Sequence, residues 1–158
     1  MTIENNTPLP ATADATLKTT HTNRALSVII AAIAIIGLID AGFLTYKHYA
    51  AAAIPLTCST AFACNEVTTS SYSIFWGLPV SIYGMLFYIA TIALLILSRR
   101  WRAAIYWLVF FSAVGFLFSL RFVYIQFFVL QATCPYCLLS AAISLVIFIL
   151  SFRLLLKK

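Results

Sequence analysis

"PVSIYGMLFYIATIALLILSRRWRAAIYWLVFFSAVGFLFSL", residues 79–120, decides the fold. Two apolar runs, Pro79 to Leu97 and Ala103 to Leu120, flank the short basic stretch Ser98 to Arg102. Each run approaches the about 20 residues that a helix rising roughly 1.5 Å per residue needs to cross hydrocarbon. Neither run alternates polar with apolar residues, and unpaired backbone groups are too costly in lipid, so both are read as helices and not as barrel strands. "SRRWR" is then a turn between two antiparallel spans.

Working outward, two more runs of the same kind extend from about Ala25 to Tyr46 and from Cys134 to Phe152, and the third run can continue to Leu130. The whole chain is 63% hydrophobic and 9% charged, with a mean hydropathy of +1.02. No water-soluble single domain hides that much apolar surface in its core. The expected fold is therefore an all-α membrane protein, a four-transmembrane-helix bundle with an extracytoplasmic loop between helices 1 and 2. Residues 1–24, rich in Thr, Asn, Pro and Ala, read as a disordered cytoplasmic tail, with 25–158 as the membrane domain. The run that follows is too long for the apolar part of a signal peptide and lacks a small-residue cleavage site, so it is expected to stay as an anchor.

Basic residues near helix ends are retained in the cytoplasm, which fixes orientation. Lys18, Arg24, Arg99, Arg100, Arg102, Arg153, Lys157 and Lys158 fall on one side of the four crossings, and only Lys47 and Arg121 on the other. Both termini and the "SRRWR" turn are expected in the cytoplasm. The net charge of +6 is then a matter of topology and anionic lipid, and no nucleic-acid partner is expected. All four cysteines, Cys58, Cys64, Cys134 and Cys137, fall on the outer side, where disulfides persist.

Cys134 and Cys137 in "TCPYC" stand one turn apart on one face at the start of the fourth helix. Thr133 is a candidate N-cap, and Pro135 suits the first turn because its missing N–H has no helical partner there. Free amides and the positive end of the helix dipole favour a thiolate. Cys58 and Cys64, in "TCSTAFACNEV", are six residues apart among small and polar residues, which fits a loop better than a helix. A loop dithiol above a rigid dithiol at the membrane surface suggests a two-stage electron relay by thiol–disulfide exchange. Two inert disulfides, or four thiolates around zinc, are the alternatives the spacing leaves open. His21 and His48 show no metal spacing.

A soluble nicotinamide enzyme needs a glycine-rich βαβ unit, and the five glycines form none. The acceptor is therefore expected to be lipid-soluble, a quinone, and Cys137, one turn deeper than Cys134, is its candidate partner. Asp40 lies about 22 Å along the first helix, in the outer part of the membrane, where a buried carboxyl costs about 2.5–3.5 kcal/mol. It either serves protonation of the reduced quinone or pairs with Lys47 or Arg121. Trp76, with Tyr72 and Phe75, is an interfacial anchor or a lid over the quinone. Ser81 and Tyr83 can offer hydroxyls to a quinone carbonyl or to backbone.

"CSTAFACNEVTTSSYSIFWGLPVSIYGMLFY" (Cys58 to Tyr88), followed by "CPYC" (Cys134 to Cys137), resembles the bacterial branch of the vitamin K epoxide reductase family over roughly residues 25–152. The resemblance implies a four-helix quinone reductase of the bacterial inner membrane that reoxidises a thioredoxin-like, DsbA-like carrier, with ubiquinone or menaquinone as acceptor. By motif, Cys58 exchanges with the carrier, Cys64 forms the transient bridge to Cys134, and Cys137 serves the quinone. With no fused thioredoxin-like domain before Lys158, the carrier is expected to be a separate polypeptide. The positions at which animal members carry Asn and Tyr as quinone contacts look like Val80 and Ala141, a departure from the vitamin K pattern. A DsbB-type thiol oxidase, the alternative four-helix design, carries its two cysteine pairs in the reverse order.

Overall fold

The computed structural model describes residues 11–50, 67 and 70–157, with side chains from residue 24 onward among them. Four helices dominate: α1 (Ala11–Ala50), α2 (Val80–Leu97), α3 (Ala103–Tyr124) and α4 (Pro135–Leu156). Stretches long and apolar enough to cross a membrane are Arg24–Ala50, Val80–Leu97, Ala103–Val129 and Pro135–Leu156. α1 packs on α2 and α4, and α3 packs on the same two helices, so the four close into a ring. This is the four-helix membrane bundle that the spacing of apolar runs implies.

Lipid tails are as apolar as leucine, so helices in a bilayer associate through close packing and hydrogen bonds. The residue distribution follows that rule. Ile39, Ile96 and Leu117 are exposed on the outside, while Ala34, Ala41, Ser112 and Ser144 are buried between helices. Gly37 on α1 receives the ring of Tyr88, and Gly115 on α3 receives the ring of Phe87; a methyl group at either glycine would overlap that ring. Ser144 on α4 donates to Ser119 on α3 (3.0 Å).

Several boundaries differ from the sequence expectation. α1 begins at Ala11, so residues 11–24 are helical where a disordered tail was expected. The reason is local: no Pro or Gly occurs between Pro10 and Gly37, and extending an existing helix needs no new nucleus. α1 also runs on to Ala50 and α4 to Leu156. Past Tyr124 the third span changes form, continuing as one π turn, Ile125–Val129, in which Leu130 N–H donates to Ile125 O (2.9 Å). Gln131 then takes a left-handed backbone (φ 49°) and the chain turns toward α4.

Before α2 lies a small hairpin, β1 (Ile74–Phe75) and β2 (Leu78–Pro79), with Ile74 opposite Pro79 and Phe75 opposite Leu78. Its two turn residues, Trp76 (φ 49°) and Gly77 (φ 79°), both have positive φ, the backbone that matches strand twist in a two-residue hairpin. Gly77 adopts it freely, whereas Trp76 bears about 1–2 kcal/mol of steric cost.

The core is packed at one end of the bundle and open at the other. Ile30, Leu95, Ile105 and Leu154 fill the end beside the 98–102 turn, and Ala41, Tyr88 and Ile143 carry the packing to mid-height. Above them the helices enclose a cavity.

Candidate functional site

The cavity holds roughly 1090 Å³ of space free of protein atoms, its open mouth included. Each helix contributes the segment at the same end: Ala41 and Leu44 from α1, Ser81 to Tyr88 from α2, Gly115 to Phe122 from α3, and Cys137, Ser140, Ala141 and Ser144 from α4. The π turn adds Ile125 and Gln126, and Ser70, Tyr72 and Ser73 complete the rim. The wall is largely apolar with a few polar groups, the character of a small-molecule site.

Cys134 and Cys137 meet this cavity differently. Cys134 is fully buried beneath Val67 and Ala132, while the half-buried Cys137 lies on the cavity wall. Both are unbridged thiols. Pro135 sits in the first turn as expected, but the N-cap position belongs to Cys134 (φ −113°, ψ 117°) and not to Thr133. Proline pushes the residue before it out of the helical region, which sets the boundary there.

The environment of the Cys134 sulfur favours its thiolate. Its pKa is drawn down from 9.0 to about 7, first by the Cys137 thiol donating a hydrogen bond to it, against the opposing effect of burial. The amides of Cys137 and Tyr136, at the helix start, pull in the same direction, and the Asp40 carboxylate opposes. In the dithiol, then, the hydrogen bond from Cys137 and the amides of the helix start stabilise charge on the buried Cys134 sulfur.

Gln126 fixes the strand of chain leading into Cys134. It is 2% exposed, and its Oε1 accepts from Cys134 N–H (2.9 Å) while its backbone carbonyl accepts from Ala132 N–H (3.1 Å). Tyr88 is the second buried polar anchor. Its hydroxyl is 2.8 Å from Ser140 Oγ and also reaches the Ser140 carbonyl (3.2 Å), tying α2 to the turn of α4 that follows Cys137.

The remaining residues expected at the site separate into four groups. Ser81 and Tyr83 line the cavity, with Ser81 Oγ paired to Thr45 Oγ1 (2.9 Å) and Tyr83 donating to Phe75 O (3.1 Å), which holds the hairpin against α2. Asp40 lies beside Ala41 of the wall, and not on it. It is buried and its Oδ2 has no hydrogen-bond partner among the described residues, so neither Lys47 nor Arg121 pairs with it. Lys47 instead sits over the Phe43 ring (5.8 Å), and Arg121 is exposed. Trp76 is 90% exposed, stacks on Phe75 and takes no part in the wall, because the hairpin turn aims it outward. Cys58 and Cys64 lie outside the described residues.

The sequence profile of the Vitamin K epoxide reductase family (VKOR) matches residues 28–152, most of the chain. The chain belongs to the vitamin K epoxide reductase family. It is therefore a membrane oxidoreductase acting on thiols, of a family whose members are in general linked to quinones and to a redox partner. No curated protein matches the chain. Val80 and Ala141 both line the cavity as apolar residues.

Two residues of the site went unremarked in the sequence reading. Gln126 had a signal, being the lone amide in the apolar run "FVYIQFFVL" eight residues before Cys134. Tyr88 had none, since only packing reveals that its ring meets Gly37 and its hydroxyl meets Ser140.

Proposed function

We propose that this chain is a thiol:quinone oxidoreductase that reoxidises a separate thioredoxin-like carrier and so supports disulfide formation in secreted proteins. The observation that carries the reading is the placement of Cys137 on the wall of an apolar cavity, with Cys134 directly behind it. The order of steps follows. A carrier thiolate attacks the Cys58–Cys64 disulfide and bonds to Cys58, freeing Cys64. The carrier's second thiol then displaces Cys58, and the carrier leaves as a disulfide.

Cys64 next attacks Cys134 of the inner disulfide, forming a Cys64–Cys134 bridge and releasing Cys137 toward the cavity. While Cys134 is so bonded, it no longer accepts the Cys137 proton, and Cys137 is the thiolate facing the acceptor. Cys58 then attacks Cys64, restores the outer disulfide and returns the inner pair to two thiols. The quinone, ubiquinone or menaquinone, takes up the two electrons and two protons that the inner dithiol gives on closing to a disulfide. Such an acceptor must lie above the about −120 mV of strongly oxidising carriers.

An apolar wall with a few convergent polar groups fits a quinone ring. Ser81 and Tyr83 stand on that wall, and we assign the unpartnered Oδ2 of Asp40 to hold a proton beside the thiol pair. Basic residues at the 98–102 turn and at both ends of the chain support an orientation with the termini in the cytoplasm and the cysteines in the periplasm of a bacterial inner membrane. In this reading residues 25–158 form the catalytic membrane domain and 1–24 its cytoplasmic extension.

The test is quinone reduction by the purified chain supplied with a reduced thioredoxin-fold donor. Wild type turns over and Cys137→Ala does not. Replacing Cys58 or Cys137 traps a Cys64–Cys134 bridge visible by non-reducing mass spectrometry; a Cys58–Cys134 bridge in its place overturns the assigned order.

A further inference from the structure

Among the buried polar side chains of the bundle, Gln126 has a geometry that structural duty alone does not explain. A backbone N–H can only donate, so the atom 2.9 Å from Cys134 N must be the oxygen of the Gln126 amide, which fixes Nε2 as its other terminus. Gln126 lines the cavity and is 2% exposed. Its Nε2 has no hydrogen-bond partner among the described residues, yet it is not one of the polar atoms sealed away from open space. A buried amide with its acceptor used and both donor hydrogens unused is costly unless something in the cavity accepts from it.

The neighbouring polar groups on the wall are already engaged. Tyr83 donates to Phe75 O, Tyr88 is tied to Ser140, and Ser144 donates within the helices. We propose that Gln126 is a ligand-binding residue whose Nε2 donates to a carbonyl oxygen of the quinone while its Oε1 holds the Cys134 amide. This rests on the thiol:quinone reading above and adds to it a named donor and a specificity.

Two physical consequences follow. The Cys134 N–H bond polarises the amide, making Nε2–H a better donor, so the group that orients the cysteine also strengthens the grip on the acceptor. Donation to a carbonyl oxygen also strengthens as that oxygen gains negative charge, so the contact favours reduction as well as binding. The π turn is what makes this possible. The extra residue in Ile125–Val129 re-aims the helix end, and Gln126 sits within it.

The experiment uses the full chain in lipid nanodiscs, with a short-tail ubiquinone isotope-labelled at one carbonyl or the other, read by infrared difference spectroscopy. Wild type should lower the stretching frequency of one carbonyl, and in Gln126→Met, which keeps the side-chain length, that lowered band should be lost. KM for the quinone should rise about tenfold, the size of one neutral hydrogen bond. A purely structural role would change thermal stability and Cys137 alkylation but leave the carbonyl band where wild type has it. A lowered band that survives in Gln126→Met, or in Gln126→Leu should the first variant not fold, overturns the assignment of Gln126 alone. Absence of any quinone binding or reduction by wild type overturns the thiol:quinone reading together with it.

Discussion

Two of the bundle's helix junctions have opposite character. Between α2 and α3, residues 98–102 close a turn with ordinary backbone bonds, Ser98 N–H to Leu94 O (2.8 Å) and Arg100 N–H to Leu97 O (2.9 Å). Arg99, Arg100 and Arg102 are exposed, and the core beneath is filled. Between α3 and α4, the chain leaves helical regularity through a π turn and a left-handed Gln131, and it buries both Gln126 and Cys134. Irregular backbone at membrane depth must find its hydrogen bonds within the protein. The second junction finds them in the Gln126 side chain and carbonyl, and the same groups set the inner cysteine. The plain junction fixes connectivity, and the irregular one supplies chemistry.

That contrast predicts where substitutions should matter. The largest effect belongs to Cys137→Ala, which should abolish quinol formation while leaving the helical circular dichroism spectrum unchanged; residual turnover would break the contrast outright. Next, Asp40→Asn should lower the rate about a hundredfold, the scale of a lost proton-transfer group. Since it removes an unpartnered buried carboxyl, its Tm should not fall, and a drop in both would mark Asp40 as structural. Gly115→Leu should cost about 1–3 kcal/mol by driving into the Phe87 ring on the cavity side, read as a lower Tm in detergent.

The pH dependence sharpens the same contrast. With its pKa lowered to about 7, the Cys134 thiolate is present above that value and protonated below it, so ultraviolet thiolate absorbance of the dithiol should titrate near there. Cys137→Ala removes the largest cause of the shift, and the midpoint should move up toward an ordinary thiol. The stability gained from this lowered pKa is fully present above the ordinary thiol range and is lost as pH falls through about 7. Tyr88→Phe, which loses the Ser140 bond, should cost about 1 kcal/mol. At the plain junction, Arg99→Gln and Arg100→Gln should change stability by no more than about 0.5 kcal/mol.

How much of this was legible from residues alone depends on whether the cause was local. The four spans, the "SRRWR" turn and Pro135 at the head of α4 each depend on composition or on a neighbour in sequence, and each stands in the structure close to its expected place. An aromatic residue before a membrane helix looks the same in sequence whether it faces lipid or ligand; the positive φ of a two-residue turn aims Trp76 outward, away from the cavity wall. Asp40 has no ion-pair partner among the described residues, and only packing shows that Lys47 and Arg121 are directed elsewhere.

The sequence by itself determined that this protein lives in lipid, crosses it four times and carries a close cysteine pair at the head of the last helix, because run length, charge placement and proline act through nearest neighbours. Only the tertiary structure decided which sulfur faces the cavity, that Gln126 holds the buried one, and that glycines at 37 and 115 make room for aromatic rings. Those facts depend on which faces of four helices meet. In a membrane that choice is made by close packing and internal hydrogen bonds between residues far apart in the chain.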